Sequence, residues 1–319
     1  MINRPQFLMS KEHFNEKSQW LTSSEEPSHG KADRPIVLSQ KRPKILINII
    51  LFILTIGTTL LAGAMQQGVN PFQEPARIVE GLPFSLALLF ILLSHEMGHY
   101  LASKKHHIDA TLPYFIPAPT FIGTFGAVIK MRSPIHNKKA LFDIGAAGPL
   151  AGIAVTLPIL IIGLKLSVVK TVEVPIEGEL ILGTSLILSF LTKVVLGNLP
   201  ENCHVMIHPL GFAGWIGLLV TSLNLMPVGQ LDGGHIAYAV LGRKTQIISK
   251  LMVIVLLGLG LWGSSMWLFW AFLLIFLLGT KHPPPLNYAV PLDRRRKMIG
   301  VITLFIFIVT FIPVPFGSM

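Results

Sequence analysis

Cysteine is almost missing from this chain: Cys203 is the single one in 319 residues. An intramolecular disulfide is thereby excluded, and so is a metal site built on a cysteine cluster. Charge is scarce too. Only 13% of residues are Asp, Glu, Lys or Arg, about half the ~25% of an ordinary globular protein. That is too little charge to clothe the surface of a soluble domain of this size. The formal charge of +10 does not read as a nucleic-acid footprint, because the basic residues form no patch. They punctuate the ends of apolar blocks, as orientation signals do.

Apolar sequence fills the chain instead, with 51% hydrophobic residues and a mean hydropathy of +0.63. Blocks fall at 45–65, 82–103, 142–164, 209–228, 247–262, 265–280 and 298–315. A bilayer is crossed by ~17–25 such residues, so the sequence predicts an all-α polytopic membrane protein of six to seven transmembrane helices, with lipid as its surroundings and no nucleic-acid partner. With the amino terminus in the cytosol, 22 basic residues fall on the cytosolic side. Four, Arg77, Lys165, Lys170 and Lys193, fall opposite, an asymmetry that sets orientation. The expected location is the cell (inner) membrane. Leu180 to Leu196 is apolar but carries Lys193. As a span it would send Arg243, Lys244 and Arg294 to Lys297 to the wrong side, so it reads as interfacial or re-entrant. Residues 1–43 form a polar cytosolic tail with no apolar core or cleavage site of a signal peptide. Residues 44–81 hold a first helix and loop, 82–245 the core, and 246–319 the C-terminal helices. The run Phe121 to Ile129 alternates small and bulky residues between prolines. It reads as an extended or membrane-dipping hairpin able to pair with an unwound strand of another chain, with a plain cytosolic loop as the alternative.

From Leu82 to Ala102 the only charged residue is Glu96. Ionisable groups at membrane depth are costly and mark function. Glu96 sits in His95-Glu96-Met97-Gly98-His99, the pattern H-E-x-x-H. On a helix His95 and His99 share one face about 40° apart, so both imidazoles reach one Zn²⁺. Glu96 stands beside them as a base for water at the metal. Catalytic zinc takes three protein ligands and keeps one position open. A third histidine six residues past His99 would complete one known pattern, but Lys105 stands there, and His106 and His107 read as solvated loop residues. Another ionisable group within an apolar block is Asp232, in Asn224-Leu-Met-Pro227-Val-Gly-Gln-Leu-Asp232-Gly233-Gly234-His235. It is an acid at the end of the fourth span, and the glycines after it let the backbone turn closely. The topology returns it to the cytosolic side, where His95 and His99 also lie. An ordinary turn acid is the competing reading of Asp232, and an interhelical hydrogen bond that of Asn224. His235 as a fourth ligand would close the open position, so a packing role is expected for it. Gly145, Gly148 and Gly152 are spaced for close helix contact.

These paired motifs resemble the site-2 proteases, intramembrane zinc metallopeptidases, over about residues 82 to 245. Gly145-Ala-Ala-Gly148-Pro149-Leu150-Ala151-Gly152 is similar to the small-residue helix which that family packs against its active site, and Lys281-His282-Pro283-Pro284-Pro285 to a proline-rich element after the core in some members. The resemblance implies a three-helix catalytic core and one zinc per chain held by His95, His99 and Asp232. It also implies Glu96 as general base, Asn224 orienting substrate or stabilising the oxyanion, and membrane proteins as substrates. No stretch of about 90 soluble residues separates the motifs, so the peptide-binding PDZ insert of several members is absent from this pattern. Two other classes compete: a binder of membrane helices, which has no need of Glu96, and a cation transporter using the His and Asp residues.

The charge asymmetry makes a direct prediction. In a Cys203→Ser background, Lys139→Cys and Lys170→Cys are expected to label with an impermeant thiol reagent from opposite sides of the membrane. Labelling from one side would overturn the span count.

Overall fold

The computed structural model describes residues 45–171, 180–200, 203–279 and 282–318, so the expected N-terminal tail lies outside the described residues. All of these belong to one compact unit. The fold is helical, with nine α-helices and three two-stranded sheets among the described residues. It is an all-α polytopic membrane protein.

Four helical stretches are long and apolar enough to cross a bilayer. They are α1 (Ile45–Gln66), α2 (Leu82–Lys105) with its 3₁₀ lead-in Pro75–Gly81, α3 (Lys138–Lys165), and the run Asp232–Trp262. The last comprises α6 (Asp232–Leu241), a 3₁₀ turn Gly242–Lys244 and α7 (Thr245–Trp262). The apolar block at 247–262 is therefore only the distal part of a longer helical run. Shorter helices are α4 (Leu186–Leu196), α5 (Pro209–Leu225), α8 (Met266–Leu273) and α9 (Arg294–Thr310). At 1.5 Å per residue the 11 residues of α4 reach roughly 16 Å, far short of a ~30 Å hydrocarbon core. The reason Leu180 to Leu196 is no straight span is visible: Leu180–Leu182 is strand β4, and Ser185 caps α4 by accepting from the Leu188 N–H.

The centre of the molecule is α2, α3 and α5. Phe84, Leu88 and Leu92 of α2, Leu160 and Leu164 of α3, and Trp215, Ile216 and Leu218 of α5 share one buried cluster. Small residues let these helices approach closely, since between membrane helices packing rather than water exclusion supplies the attraction. The backbones of Gly163 and Gly211 touch at the α3–α5 crossing, and Gly217 lies against Thr156.

The run Phe121 to Ile129 supplies the turn and second strand of a hairpin whose first strand precedes it. β1 (Tyr114–Pro117) pairs antiparallel with β2 (Thr124–Val128), Tyr114 opposite Val128 and Phe115 opposite Ala127. Gly123 closes the turn at φ 81°, a backbone state open to glycine at little cost. Both strands lie against α1, and β2 also against α2. On the far side of α3, β3 (Val168–Thr171) pairs with β5 (Cys203–Met206), and β4 with β6 (Phe316–Ser318).

Candidate metal centre

His95 and His99 sit on the fourth and fifth turns of α2. His95 and His99 lie about 15 and 9 Å in from its basic end at Lys105, by the helical rise. His95, Glu96 and His99 are all buried. Asp232 arrives from the other half of the chain. α5 ends at Leu225, the chain turns through Met226 to Leu231, and Asp232 is the first residue of α6. It thus opens the next helix instead of closing the fourth span. The turn is tight enough that a side chain on Gly233 would strike the Leu225 and Met226 carbonyls, and one on Gly234 the Gly229 carbonyl.

The three residues meet. His95 Nε2 lies 3.0 Å from His99 Nε2, and each lies 3.2 Å from Asp232 Oδ2. Among the described residues they form the group of His, Cys, Asp or Glu side chains close enough to hold one metal ion. Their spacing fits zinc: tetrahedral ligands at ~2.0–2.1 Å from the ion stand about 3.3–3.4 Å apart. The hydrogen bonding also fits. His99 Nδ1 lies 2.7 Å from the Ile144 carbonyl, so Nδ1 carries the proton and donates it there. That leaves the Nε2 lone pair aimed at the centre, the usual way a metal-binding histidine is oriented. Two imidazole nitrogens and a carboxylate converging in a buried space is a donor set for a cation.

Glu96 stays outside this group of three, with the Ile129 N–H, just past β2, facing its carboxylate. Asn224, near the end of α5, brings its Nδ2 to 3.3 Å from His95 Nε2. All five residues singled out in the sequence therefore share one site.

What lets α3 form the back wall is the absence of side chains. Gly145, Gly148 and Gly152 share a face of α3. A methyl on Gly148 would lie inside the His99 imidazole. One on Gly152 would sit 3.2 Å from His95 Nδ1, and one on Gly145 2.8 Å from His235 Cβ.

His235 is not among the three converging donors. Its Nδ1 lies 2.5 Å from His282 Nε2, and His282 Nδ1 lies 2.6 Å from the Pro283 carbonyl. Burial holds the His282 pKa below the ordinary histidine value, so the ring is neutral near pH 7. It donates to Pro283 and accepts from His235. Tyr238 stacks on His282 at 4.6 Å. Sequence reasoning noted His282 only as part of a proline-rich element and missed its role, whose signal was a lone imidazole beside a proline run. His106 also departs from expectation. It is half-buried, with Nε2 2.7 Å from Asp143 Oδ2, while His107 beside it is exposed.

Comparison with known proteins agrees with this geometry. The family model described as peptidase family M50 matches residues 83–260, the segment that carries every residue of the site. The chain belongs to peptidase family M50. The M50 segment ends near the close of α7. Relatives include proteins named probable zinc metalloprotease EGY1, chloroplastic, from Oryza sativa subsp. japonica, 36% identical with 76% of this chain and 42% of the relative covered. The Arabidopsis thaliana protein of the same name is 32% identical with 84% and 53% covered, and Arabidopsis EGY2 is 32% identical with 78% and 45% covered. The chain spans about half the length of the curated relatives it matches.

The glycine seat yields a test that touches no ligand. Gly148→Ala is expected to lower metal content at least tenfold, in the range typical for residues that orient ligands. Gly152→Ala, whose methyl needs only a small shift of its neighbour, should keep most of it. Metal analysis of the purified variants decides, and full occupancy in Gly148→Ala would refute the wall.

Proposed function

We propose that this chain is a zinc-dependent intramembrane metalloendopeptidase that cleaves membrane-embedded or membrane-proximal segments of other membrane proteins, in regulated proteolysis or turnover. The observation that carries this is the meeting of His95, His99 and Asp232 within 3.2 Å, from helices far apart in sequence, beside a buried Glu96 that is not one of the converging donors. His95, His99 and Asp232 would hold one zinc ion per chain. When bound, the metal supplies Lewis-acid polarisation of a peptide carbonyl and brings the pKa of water down toward ~7.

The remaining work falls to the chain's own residues. Glu96 accepts a proton from water at its carboxylate and returns it to the leaving amine. The Asn224 amide, an N–H donor at the edge of the site, orients the scissile carbonyl or stabilises its developing negative charge. A substrate helix must open first, because its carbonyls are engaged in helical hydrogen bonds. The β1–β2 hairpin supports this step. β2 lies against α2 close to Glu96, and a two-stranded sheet has edges on which an opened substrate strand can pair. Peptide bonds are not hydrolysed without water, and the burial of Glu96 calls for a polar path from the basic end of α2, the nearer end. The basic asymmetry supports placing the amino terminus and this end of the molecule on the cytosolic face of the cell membrane, while the relatives named are chloroplastic.

Glu96→Gln is expected to retain zinc and the fold yet lose cleavage by at least the ~10²–10⁴-fold typical of a general base. Asn224→Ala should cost ~10²–10³-fold. Asp232→Ala should lose the metal itself. Comparative membrane proteomics of wild type against Glu96→Gln should reveal accumulating membrane proteins as substrates. Unimpaired cleavage by Glu96→Gln would sink this mechanism and turn attention to a binding role.

A further inference from the structure

A cavity of about 290 Å³ lies between α2, α3 and α9, at the basic ends of these helices and apart from the metal centre. Its apolar side is formed by Phe142, Leu150 and Ile299, and its rim by Lys105 and Arg295. Asp143 also lines it, but that carboxylate is already engaged. It accepts from His106 Nε2 at 2.7 Å and, in a two-pronged pair, from Arg296 Nε at 2.8 Å and Nη2 at 2.6 Å.

The charge around this cavity does not balance. Arg294, Arg295, Arg296 and Lys297 occupy the first turn of α9, the positive end of the helix dipole, where cations are unfavourable. Two carboxylates answer them, Asp143 and the N-cap Asp293, and both are spent on Arg296. Among the described residues, neither Arg295 nor Lys105 forms an ion pair. Two unanswered cations from different helices therefore border one cavity, beside a helix end that itself favours an anion.

We propose that this cavity binds an anionic phospholipid, with its phosphate between Lys105 and Arg295 and the start of an acyl chain against Phe142, Leu150 and Ile299. Free phosphate shares the headgroup chemistry but has no use for the apolar side, which runs along the membrane-spanning α3. The depth also matches. Lys105 and Arg295 stand where the apolar blocks stop, at headgroup level, and basic pockets between membrane helices recognise lipid headgroups there.

The full-length chain in bilayers of mixed phosphatidylglycerol and phosphatidylcholine, extracted into detergent, provides the test. Co-purifying lipid is quantified by mass spectrometry and zinc content serves as the folding control, so the result does not depend on proteolysis. Phosphatidylglycerol is expected to be enriched over its share of the bilayer. The Lys105→Gln/Arg295→Gln double variant should lower it roughly tenfold or more, at the strength usual for basic residues at a membrane surface. The charge-matched Lys165→Gln/Lys170→Gln control should leave it unchanged. Ile299→Trp, which fills the apolar side with the charges intact, should lower it as well. Equal retention of phosphatidylcholine, unchanged retention in the double variant, or an equal loss in the control pair would each overturn the proposal. Release of the lipid by millimolar inorganic phosphate would show a plain anion site and overturn it too.

Discussion

The structure depends on how closely α3 approaches α2. Three polar groups of the metal centre must be buried together, and an unpaired polar or charged group in a low-dielectric interior is expensive. The solution is a wall that adds nothing of its own: Gly148 leaves room for the His99 imidazole, Gly152 for His95 and Gly145 for His235. The same helix contributes one polar atom, the Ile144 carbonyl, which fixes the His99 ring. A side chain at Gly148 would strike the His99 imidazole itself and one at Gly152 would crowd His95, so either the helices part or the rings move. Geometry here is set by absence of volume, and the donors inherit their positions from it.

The second half of the site is held by a turn and a strap. Asp232 can open α6 beside the end of α5 because Gly233 and Gly234 let backbone meet backbone between them. α6 is then tied from outside by the segment that follows a short π-helix at Leu274–Leu278. His282 takes the His235 hydrogen bond and stacks on Tyr238, while Leu286 and Asn287 donate from their backbones to Ile135 and His136 ahead of α3. The Lys138 ammonium lies 3.6 Å from the centre of the Tyr288 ring, a cation–π contact that continues the strap. One short segment thus joins the helix carrying Asp232 to the approach of the helix that forms the back wall. This gives the prolines after Lys281 a physical meaning: an extended segment with few free backbone angles spans the gap at low entropic cost.

Electrostatics divides the molecule along its length. The basic residues stand at one set of helix ends, and the metal centre lies about two to three turns of α2 inside that boundary. Asp143 shows how a lone acid is accommodated there. It is shared by His106, the residue that caps the end of α2, and by Arg296 in the first turn of α9, so one carboxylate pins three helices at the level where water begins. Farther in, among the described residues, the acids brought near the centre are Glu96 and Asp232, and each faces the chemistry proposed for it.

The residues that meet at the site were picked out in the sequence by residue type and place: H-E-x-x-H stands out in an apolar helix, while Asp232 had an ordinary turn acid as its competing reading and was joined to the histidines by the family resemblance. The helical class followed from apolar length, while the small–bulky alternation of Phe121 to Ile129 left an extended hairpin and a plain loop both open, and the structure makes it one strand of a hairpin. Which residues meet was settled by packing. The partner strand Tyr114–Pro117 is set by its pairing with Thr124–Val128, and the place of Asp232 at the start of α6 by the close backbone approach of Gly233 to the end of α5. His106 read as solvated, and His282 was noted only as part of a proline-rich element, for the same reason, since each acquires its role only from a partner 37 or 47 residues away. The sequence by itself determined which side chains are able to donate to a cation or accept a proton, because those capacities are properties of single side chains. Only the tertiary structure decided that the three donors converge within 3.2 Å, because that distance is set by how closely the glycine face of α3 lets α2 and α6 approach it.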